Sequence, residues 1–189
     1  MGRASREQAA ENRARIVRVA SAQFRAKGFE AVGIADVMKE AGLTQGGFYV
    51  HFDSKEALAR EAWEFSFRAA ADAWRNVAAK GSSKRSPIDE ITRYYLSPKT
   101  PEQTCPMVAW SAEAAALVPG HPMRRAFEEG IDLLFEVYSE AARASGEKLD
   151  SDDIKIRFSA MVGANLLSIA AGGRSTAKAL RKAVISASR

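Results

Sequence analysis

This sequence of 189 residues lacks much of the chemistry on which enzymes depend, since it has one cysteine, Cys105, and two histidines, His51 and His121. A lone cysteine cannot form an intrachain disulfide, which fits a reducing compartment. No cysteine–histidine cluster that could hold zinc is visible, and no glycine-rich phosphate loop follows a strand. An enzyme is the main competing class, and we expect neither an enzyme nor a bound cofactor.

Glycine and proline are also scarce, with 13 and 6 residues, which excludes a collagen-like or low-complexity chain. No apolar run approaches the ~18 residues of a membrane span. The first twenty residues are rich in charge and lack an apolar stretch, so we expect no signal peptide. These absences predict a cytoplasmic protein with no membrane partner.

Apolar residues recur at helical spacing along nearly the whole chain, which is 47% apolar and 27% charged. No stretch alternates apolar and polar residues in the manner of a half-buried strand. We therefore predict an all-α fold of about nine helices, separated among other places by a loop at 81–87 and a break at Gly172 and Gly173. The first predicted helix ends at Lys27. The other eight cover approximately 34–41, 44–51, 54–79, 88–95, 107–117, 122–145, 152–171 and the stretch from Ala177 to Ile185.

The positive charge is concentrated at the start of the chain. The formal net charge is +5, and the first 28 residues alone contain seven basic residues against two acidic ones. The basic residues are Arg3, Arg6, Arg13, Arg15, Arg18, Arg25 and Lys27. This asymmetry suggests a polyanionic partner at the N-terminal end, and the alternative is a solvated helix face.

The stretch from Ile34 to Lys55 predicts a helix-turn-helix. Two short helices meet at Gly42, which can adopt the left-handed conformation that ends the first helix, and Thr44 is placed to cap the second. A capping-box pattern from Asp53 to Glu56 opens the next, long helix. Phe48 and Phe52 are expected in the core, packed with the first helix. The residues expected to face outward are Thr44, Gln45, Gly46, Gly47, Tyr49 and His51.

The string from Arg15 to Leu58 resembles the DNA-binding domain of the TetR family of bacterial transcriptional regulators. The matching elements are Ile16, Ala20 and Phe24 with Gly28-Phe29, the turn Ala41-Gly42-Leu43-Thr44, and Gly46, Phe48-Tyr49, His51-Phe52, Ser54-Lys55-Glu56 and Leu58. The resemblance implies an N-terminal three-helix DNA-binding domain at 1–53 and a helical ligand-binding and dimerisation domain at 54–189. It implies a ligand-responsive repressor that binds a palindromic operator in double-stranded DNA as a homodimer and is released by a small molecule.

The resemblance also implies roles for single residues. Phosphate contacts would come from Thr44, Tyr49, His51 and Lys55, and base-edge contacts from Gln45, Gly46 and Gly47. The family usually has a lysine at the position of Gln45, a threonine, serine or alanine at Gly47, and often a hydroxyl at Gly33. Two adjacent glycines in one short helix cost roughly 2 kcal/mol relative to alanine, so we hypothesise that they allow the backbone to approach DNA closely.

These side chains also have alternative roles that involve no DNA. Tyr49 and His51 could be half-buried residues of the helix, and Lys55 could be an ordinary surface lysine. A nonspecific DNA-coating protein is a third class of function, with affinity that depends on salt and not on sequence.

The last two helices are the candidate dimer surface. The helix at 152–171 is apolar around most of its circumference, so it must be buried on more than one side, and Gly163 suggests a helix crossing closely there. The alternative is a monomer with both helices in its own core. The candidate interface residues are Ile154, Phe158, Val162, Leu166, Ile169, Leu180 and Val184.

The middle helices are the candidate sensor for an apolar or amphipathic effector, although such residues are most often ordinary core. Cys105 is a candidate redox sensor, with a buried structural thiol as the alternative. The candidate pocket residues are Phe67, Trp74, Tyr94, Met107, Trp110, Phe127, Leu134, Tyr138, Met161 and Asn165, and the amide of Asn165 requires a polar partner on its apolar face.

Overall fold

A computed structural model describes residues 2–80, 85–172 and 174–187, with side chains from residue 6 onward. Within these ranges the chain forms nine α-helices and two 3₁₀ helices and no strand, so the predicted all-α fold is confirmed. The α-helices are α1 (Gly2–Lys27), α2 (Ile34–Glu40), α3 (Lys55–Lys80), α4 (Pro87–Tyr95), α5 (Pro106–Ala109), α6 (Ser111–Ala116), α7 (Pro122–Ala144), α8 (Ser151–Ala170) and α9 (Ser175–Ala187). The 3₁₀ helices are Gln45–Val50 and Pro101–Gln103. Residues 81–84 of the predicted loop and Gly173 of the predicted break lie outside the described residues.

Three local predictions are corrected by the structure. The single helix expected at 107–117 is two helices, because Trp110 leaves the helical region with φ −118° and ψ 11°. The helix expected from Thr44 is a 3₁₀ helix. The start of α3 is capped by Ser54 and not by Asp53, since the Ser54 Oγ accepts a hydrogen bond from the Ala57 N–H at 3.1 Å.

The described residues fall into two compact units. The first contains residues up to 67 together with 99–130, and the second contains 68–98 together with 131 onward, so α3 and α7 contribute residues to both. The predicted functional division at residue 53 is a different one and stays a prediction.

The first unit is built around the apolar face of α1. Phe24 is buried against Phe29, with ring centroids 5.6 Å apart, and a second buried group comprises Trp63, Phe67, Trp110 and the half-buried Phe127. The indoles of Trp63 and Trp110 stack with centroids 4.9 Å apart.

Gly130 of α7 leaves no room for a side chain. A Cβ placed there would lie 2.3 Å from carbon atoms of the Phe67 ring. The Phe67 side chain is itself buried, so it fills the space that a larger residue at position 130 would need.

The second unit has an aromatic core of its own. Trp74 of α3 contacts Tyr95 and Tyr138 edge to face, with centroids 5.5 and 6.3 Å apart. Phe158 of α8 lies 5.6 Å from the ring of Tyr138 and 5.3 Å from that of Phe135. Edge-to-face geometry is the arrangement that aromatic quadrupoles favour.

Candidate nucleic-acid interface

The turn between α2 and the Gln45–Val50 3₁₀ helix is closed by two hydrogen bonds of the main chain. The Gly42 N–H donates to the Lys39 carbonyl at 3.0 Å, and the Leu43 N–H donates to the Met38 carbonyl at 2.9 Å. These bonds and the φ of +71° at Gly42 form a Schellman closure of α2. The turn therefore sends the chain into the 3₁₀ helix in a fixed direction, as the helix-turn-helix prediction requires.

The 3₁₀ helix sorts its side chains sharply between core and solvent. Phe48 is completely buried and stacks on Phe52 with centroids 5.6 Å apart, which confirms the core position predicted for both rings. Tyr49 and Val50 are 69% and 80% exposed. Buried aromatic rings on one side thus hold a short helix whose other side is open to solvent.

The residues expected to read bases lie on this open side. Gln45 and Gly46 are exposed and Gly47 is half-buried. A Cβ at Gly46 would meet nothing within 4 Å, and one at Gly47 would meet the Thr44 Oγ1 at 3.7 Å and the Met38 Cε at 3.8 Å. Neither glycine is required by packing inside the free chain.

Thr44 holds the N-cap position of the 3₁₀ helix but does not cap it with its hydroxyl. Its backbone is extended, with φ −79° and ψ 146°, and its side chain makes no capping hydrogen bond. The expected side-chain cap is therefore wrong, while the side chain itself is exposed. Gly33 caps α2 without a hydroxyl, since the Asp36 carboxylate accepts from the Gly33 N–H at 3.2 Å.

Lys55 is held at the edge of this surface. It is the first residue of α3, and its Nζ lies 4.2 Å from the centroid of the Phe29 ring. A cation over an aromatic face is attracted by the ring quadrupole, and unpaired N–H groups at the start of a helix favour an anion. The adjacent Glu56 carries the opposite charge. Hydrogen bonds from its own N–H and from Ser54 lower its pKa.

The N-terminal positive charge is only partly available to a partner. Arg13 donates hydrogen bonds to the His51 carbonyl and the Glu61 carboxylate. Arg25 donates to the Ser21 carbonyl at 3.1 Å, and burial lowers its pKa against the influence of Cys105 and Glu102. Arg6, Arg18 and Lys27 are exposed. Internal contacts thus account for part of the charge asymmetry that suggested a polyanion.

Sequence reasoning missed two residues of this region. Among the described residues, Val50 is the most exposed of the large hydrophobic side chains. In the sequence, only its position between Tyr49 and His51 indicated that it belongs to this surface. Arg13 is one of the basic residues behind the charge asymmetry, and the structure shows that it donates to the His51 carbonyl at the end of the 3₁₀ helix. No periodicity distinguishes an arginine that folds back onto a carbonyl from one that faces solvent.

The predicted pocket residues divide between the two units. Phe67, Met107, Trp110 and Phe127 belong to the first, and Trp74, Tyr94, Leu134, Tyr138, Met161 and Asn165 to the second. Tyr94 is 36% exposed, and Phe127 is half-buried. The remaining candidates are buried.

The exposed apolar face of α8 is only partly the one expected. Phe158 packs inside its own chain against Tyr138, and Ile154 and Val162 are half-buried. A further stripe follows helical spacing through the exposed Ile156, Ala160, Leu167 and Ala170 and the half-buried Gly163. A Cβ at Gly163 would meet nothing within 4 Å, so no described residue packs closely on that position. Of the other candidates, Leu166, Ile169 and Leu180 are exposed and Val184 is half-buried.

The described residues contain no group of three side chains arranged to hold a metal ion. His121 precedes α7, and its Nδ1 accepts a hydrogen bond from the Met123 N–H at 3.3 Å, so its side chain acts at the start of this helix. In the described part of the chain no helix combines the length and the apolar character needed to cross a membrane.

The N-terminal segment is similar to known regulators. Residues 16–62 match the model of the bacterial regulatory proteins of the tetR family. The HTH-type transcriptional regulator YerO of Bacillus subtilis is 36% identical over 67 residues, which are 35% of this chain and 23% of YerO. The matched segment thus spans about a quarter of the length of the first curated relatives.

The fold extends the similarity to nearly the whole chain. The reduced form of NemR from E. coli has a TM-score of 0.74 at 22% identity, covering 92% of this chain and 95% of NemR. A transcriptional regulator from Saccharomonospora viridis, solved in complex with choline, has a TM-score of 0.74 at 18% identity, covering 93% of this chain and 94% of the other.

Proposed function

This chain belongs to the TetR family of bacterial regulatory proteins, and we propose that it is a ligand-responsive transcriptional repressor. It binds a palindromic operator in double-stranded DNA as a homodimer, and a small molecule releases it. Residues 1–53 bind DNA, and residues 54–189 bind the effector and the second copy.

One observation carries this proposal. The Gln45–Val50 3₁₀ helix is anchored by the fully buried Phe48, while Tyr49 beside it is 69% exposed. A short helix fixed from behind and open in front suits insertion into the major groove, where the N-terminal side chains of a recognition helix meet base edges.

The side chains at this face divide into two roles. Thr44, Tyr49, His51 and Lys55 donate to phosphate oxygens, which positions the domain without reading sequence. Gln45 reads a base with its amide, which can pair with both N6 and N7 of adenine. Gly46 and Gly47 let the backbone approach the base edges closely.

The homodimer forms through α8 and α9. The stripe of Ile156, Ala160, Gly163 and Leu167 offers small residues at its centre and large apolar residues around them. Exposed apolar side chains on one face of a helix gain free energy when a second copy covers them. Two copies then span two half-sites about 34–36 Å apart, which one helix-turn-helix cannot do.

The effector acts by shifting a population. It binds the helical body more tightly when the protein is in a form that does not fit both half-sites, so its binding weakens the operator complex. A regulator of the same fold has been solved with choline, which supports a small organic molecule as the ligand.

Selection of bound duplexes from a random pool tests the proposal. We expect one two-fold symmetric sequence to be enriched, and purified protein to bind it about 10³-fold or more above random DNA. Enrichment of no sequence, with affinity that depends only on salt, would identify a DNA-coating protein instead. The absence of any DNA binding would reject both functions.

A further inference from the structure

The second unit contains a buried carboxylate with an oxygen that no group satisfies. Asp89 is 7% exposed, and its Oδ1 has no hydrogen-bond partner among the described residues. Helix capping explains only part of this placement. The Asp89 N–H donates to the Ser86 Oγ at 3.4 Å, and Ser86 also hydrogen-bonds the Asp89 carboxyl group.

Thr92, which lies on the same face of α4 as Asp89, connects this face to a group of aromatic rings. Thr92 follows Asp89 by three residues on α4, so the two side chains lie on one face of the helix. The Thr92 Oγ1 lies 3.3 Å from the Tyr138 hydroxyl. Burial raises the pKa of Tyr138, and the Asp89 carboxylate adds a smaller effect in the same direction. The Tyr138 ring contacts Trp74 at 6.3 Å and Phe158 at 5.6 Å between centroids.

Among the described residues, Asp89 takes part in no ion pair. Burial raises the pKa of its carboxyl group, and Glu147 raises it further. Glu147 has its own partner, since Arg157 donates to it at 3.0 Å. Arg93 lowers the pKa of Asp89, but its effect is the smallest of the neighbouring groups. An ionised carboxylate in such a place is costly unless a cation joins it.

We propose that this part of the second unit binds an organic ammonium cation, with Asp89 as the counter-ion and the rings of Trp74 and Tyr138 as its aromatic neighbours. An ammonium group satisfies the free carboxylate oxygen, and its alkyl or aryl part suits the apolar surroundings. Cations are attracted to aromatic faces, most strongly to indole. The proposal refines the apolar or amphipathic effector to a cationic one, and it rests on the proposed function where the ligand acts as effector.

Calorimetric titration of the full chain without DNA tests the site. The probes are 2-phenylethylammonium, its neutral analogue 2-phenylethanol, and tetraethylammonium. We expect millimolar or tighter binding of at least one cation, and binding of 2-phenylethanol about 30-fold weaker or more than that of its amine. Asp89→Asn keeps the shape and removes the charge, and should weaken cation binding by a similar factor. Trp74→Phe should weaken it less, since a ring remains.

Asp132→Asn is the matched control, because Asp132 lies exposed on α7 in the same unit. It should leave every affinity unchanged. Thermal unfolding shows that Asp89→Asn is folded, and we expect its melting temperature without ligand to equal or exceed that of the wild type. Binding of neither cation, equal affinity for the amine and the alcohol, or full retention of binding in Asp89→Asn would overturn the proposal.

Operator binding is measured separately, so that the two proposals fail independently. A cation that binds through Asp89 and lowers operator affinity supports both. If the cation binds but the chain has no operator, the site stands and the regulatory function is rejected. If the operator is bound and no cation is, the regulator stands and this site is rejected.

Discussion

The guanidinium of Arg13 in α1 donates a hydrogen bond to the main-chain carbonyl of His51, the residue that ends the Gln45–Val50 3₁₀ helix. The same group also donates to Glu61 of α3 and lies 4.1 Å from the centroid of the Phe52 ring. One side chain thus connects three segments of the first unit at the end of the proposed reading helix. We expect Arg13 to position this helix and not to contact DNA itself.

Replacement of Arg13 should weaken DNA binding without changing its salt dependence. Arg13→Gln loses charge-assisted hydrogen bonds and should cost about 2 kcal/mol of unfolding free energy. Operator affinity should fall, while the slope of log affinity against log salt stays that of the wild type, because no phosphate contact is removed. Urea denaturation and fluorescence anisotropy at several salt concentrations measure the two effects. A slope reduced by about 1 would instead make Arg13 a phosphate ligand.

Lys55 and Gln45 should differ in the kind of binding they lose. Lys55→Gln removes a cation at the proposed phosphate contact, so affinity should fall on all sequences and the salt slope should drop by about 1. Gln45→Ala should reduce discrimination at one base position by about 1–3 kcal/mol. Binding at several salt concentrations measures the slope for Lys55→Gln. Competition between the operator and its single-base variants measures the discrimination lost in Gln45→Ala. Equal loss on the operator and on scrambled DNA would show that Gln45 does not read a base.

Gly46→Ala separates folding from DNA approach. The added Cβ meets nothing within 4 Å in the free chain, and alanine is the better helix former by about 1 kcal/mol. The melting temperature should therefore stay the same or rise, while operator affinity falls because the methyl group meets the bases. Unchanged operator affinity for Gly46→Ala would exclude a close backbone approach at this residue.

Leu167→Glu should break the dimer. Leu167 is 51% exposed on α8, and a carboxylate there would be buried without a partner in the proposed interface. Sedimentation should show monomers, with operator affinity lowered to that of one half-site. Val118→Glu introduces the same charge at a residue 68% exposed elsewhere and should remain dimeric. A dimeric Leu167→Glu would place the interface on another surface.

Asp89 should make stability fall as the pH rises. Its pKa is raised above the ordinary value of 3.8, so between the two values the folded chain binds more protons than the unfolded chain. The free energy of unfolding therefore decreases with rising pH over this window and is constant in this respect above it. Asp89→Asn removes the effect. Denaturation of both proteins without ligand at several pH values gives the difference, and a difference independent of pH would contradict the raised pKa.

Much of the architecture could be predicted because its signals are local. Glycine ends α1 and α2 at Gly28 and Gly42, both with positive φ, and these stops are visible in the sequence as breaks after apolar periods. The burial of Phe48 and Phe52 follows from the same spacing. The prediction of the DNA-reading face depended on a resemblance over 45 or so residues. This face of the 3₁₀ helix is exposed because Phe48 and Phe52 bury the opposite side.

Predictions that depended on tertiary contacts were less accurate. α8 has apolar residues on two faces, and spacing alone does not say which face packs on its own chain, so Phe158 was assigned to the interface and Leu167 was not. The break at Trp110 arises where a buried indole stacks on Trp63, a contact between residues distant in sequence. Asp89 follows the N-cap residue Ser86 by three positions at the start of α4. This spacing does not indicate whether the Asp89 side chain is buried.

The fit of Phe67 against Gly130 limits how this chain can diverge. Even a methyl group at position 130 would overlap the ring, so the first accepted change of the pair must shrink residue 67 before residue 130 can grow. Relatives that have kept this crossing should vary at the two positions in concert, with small beside large in either order.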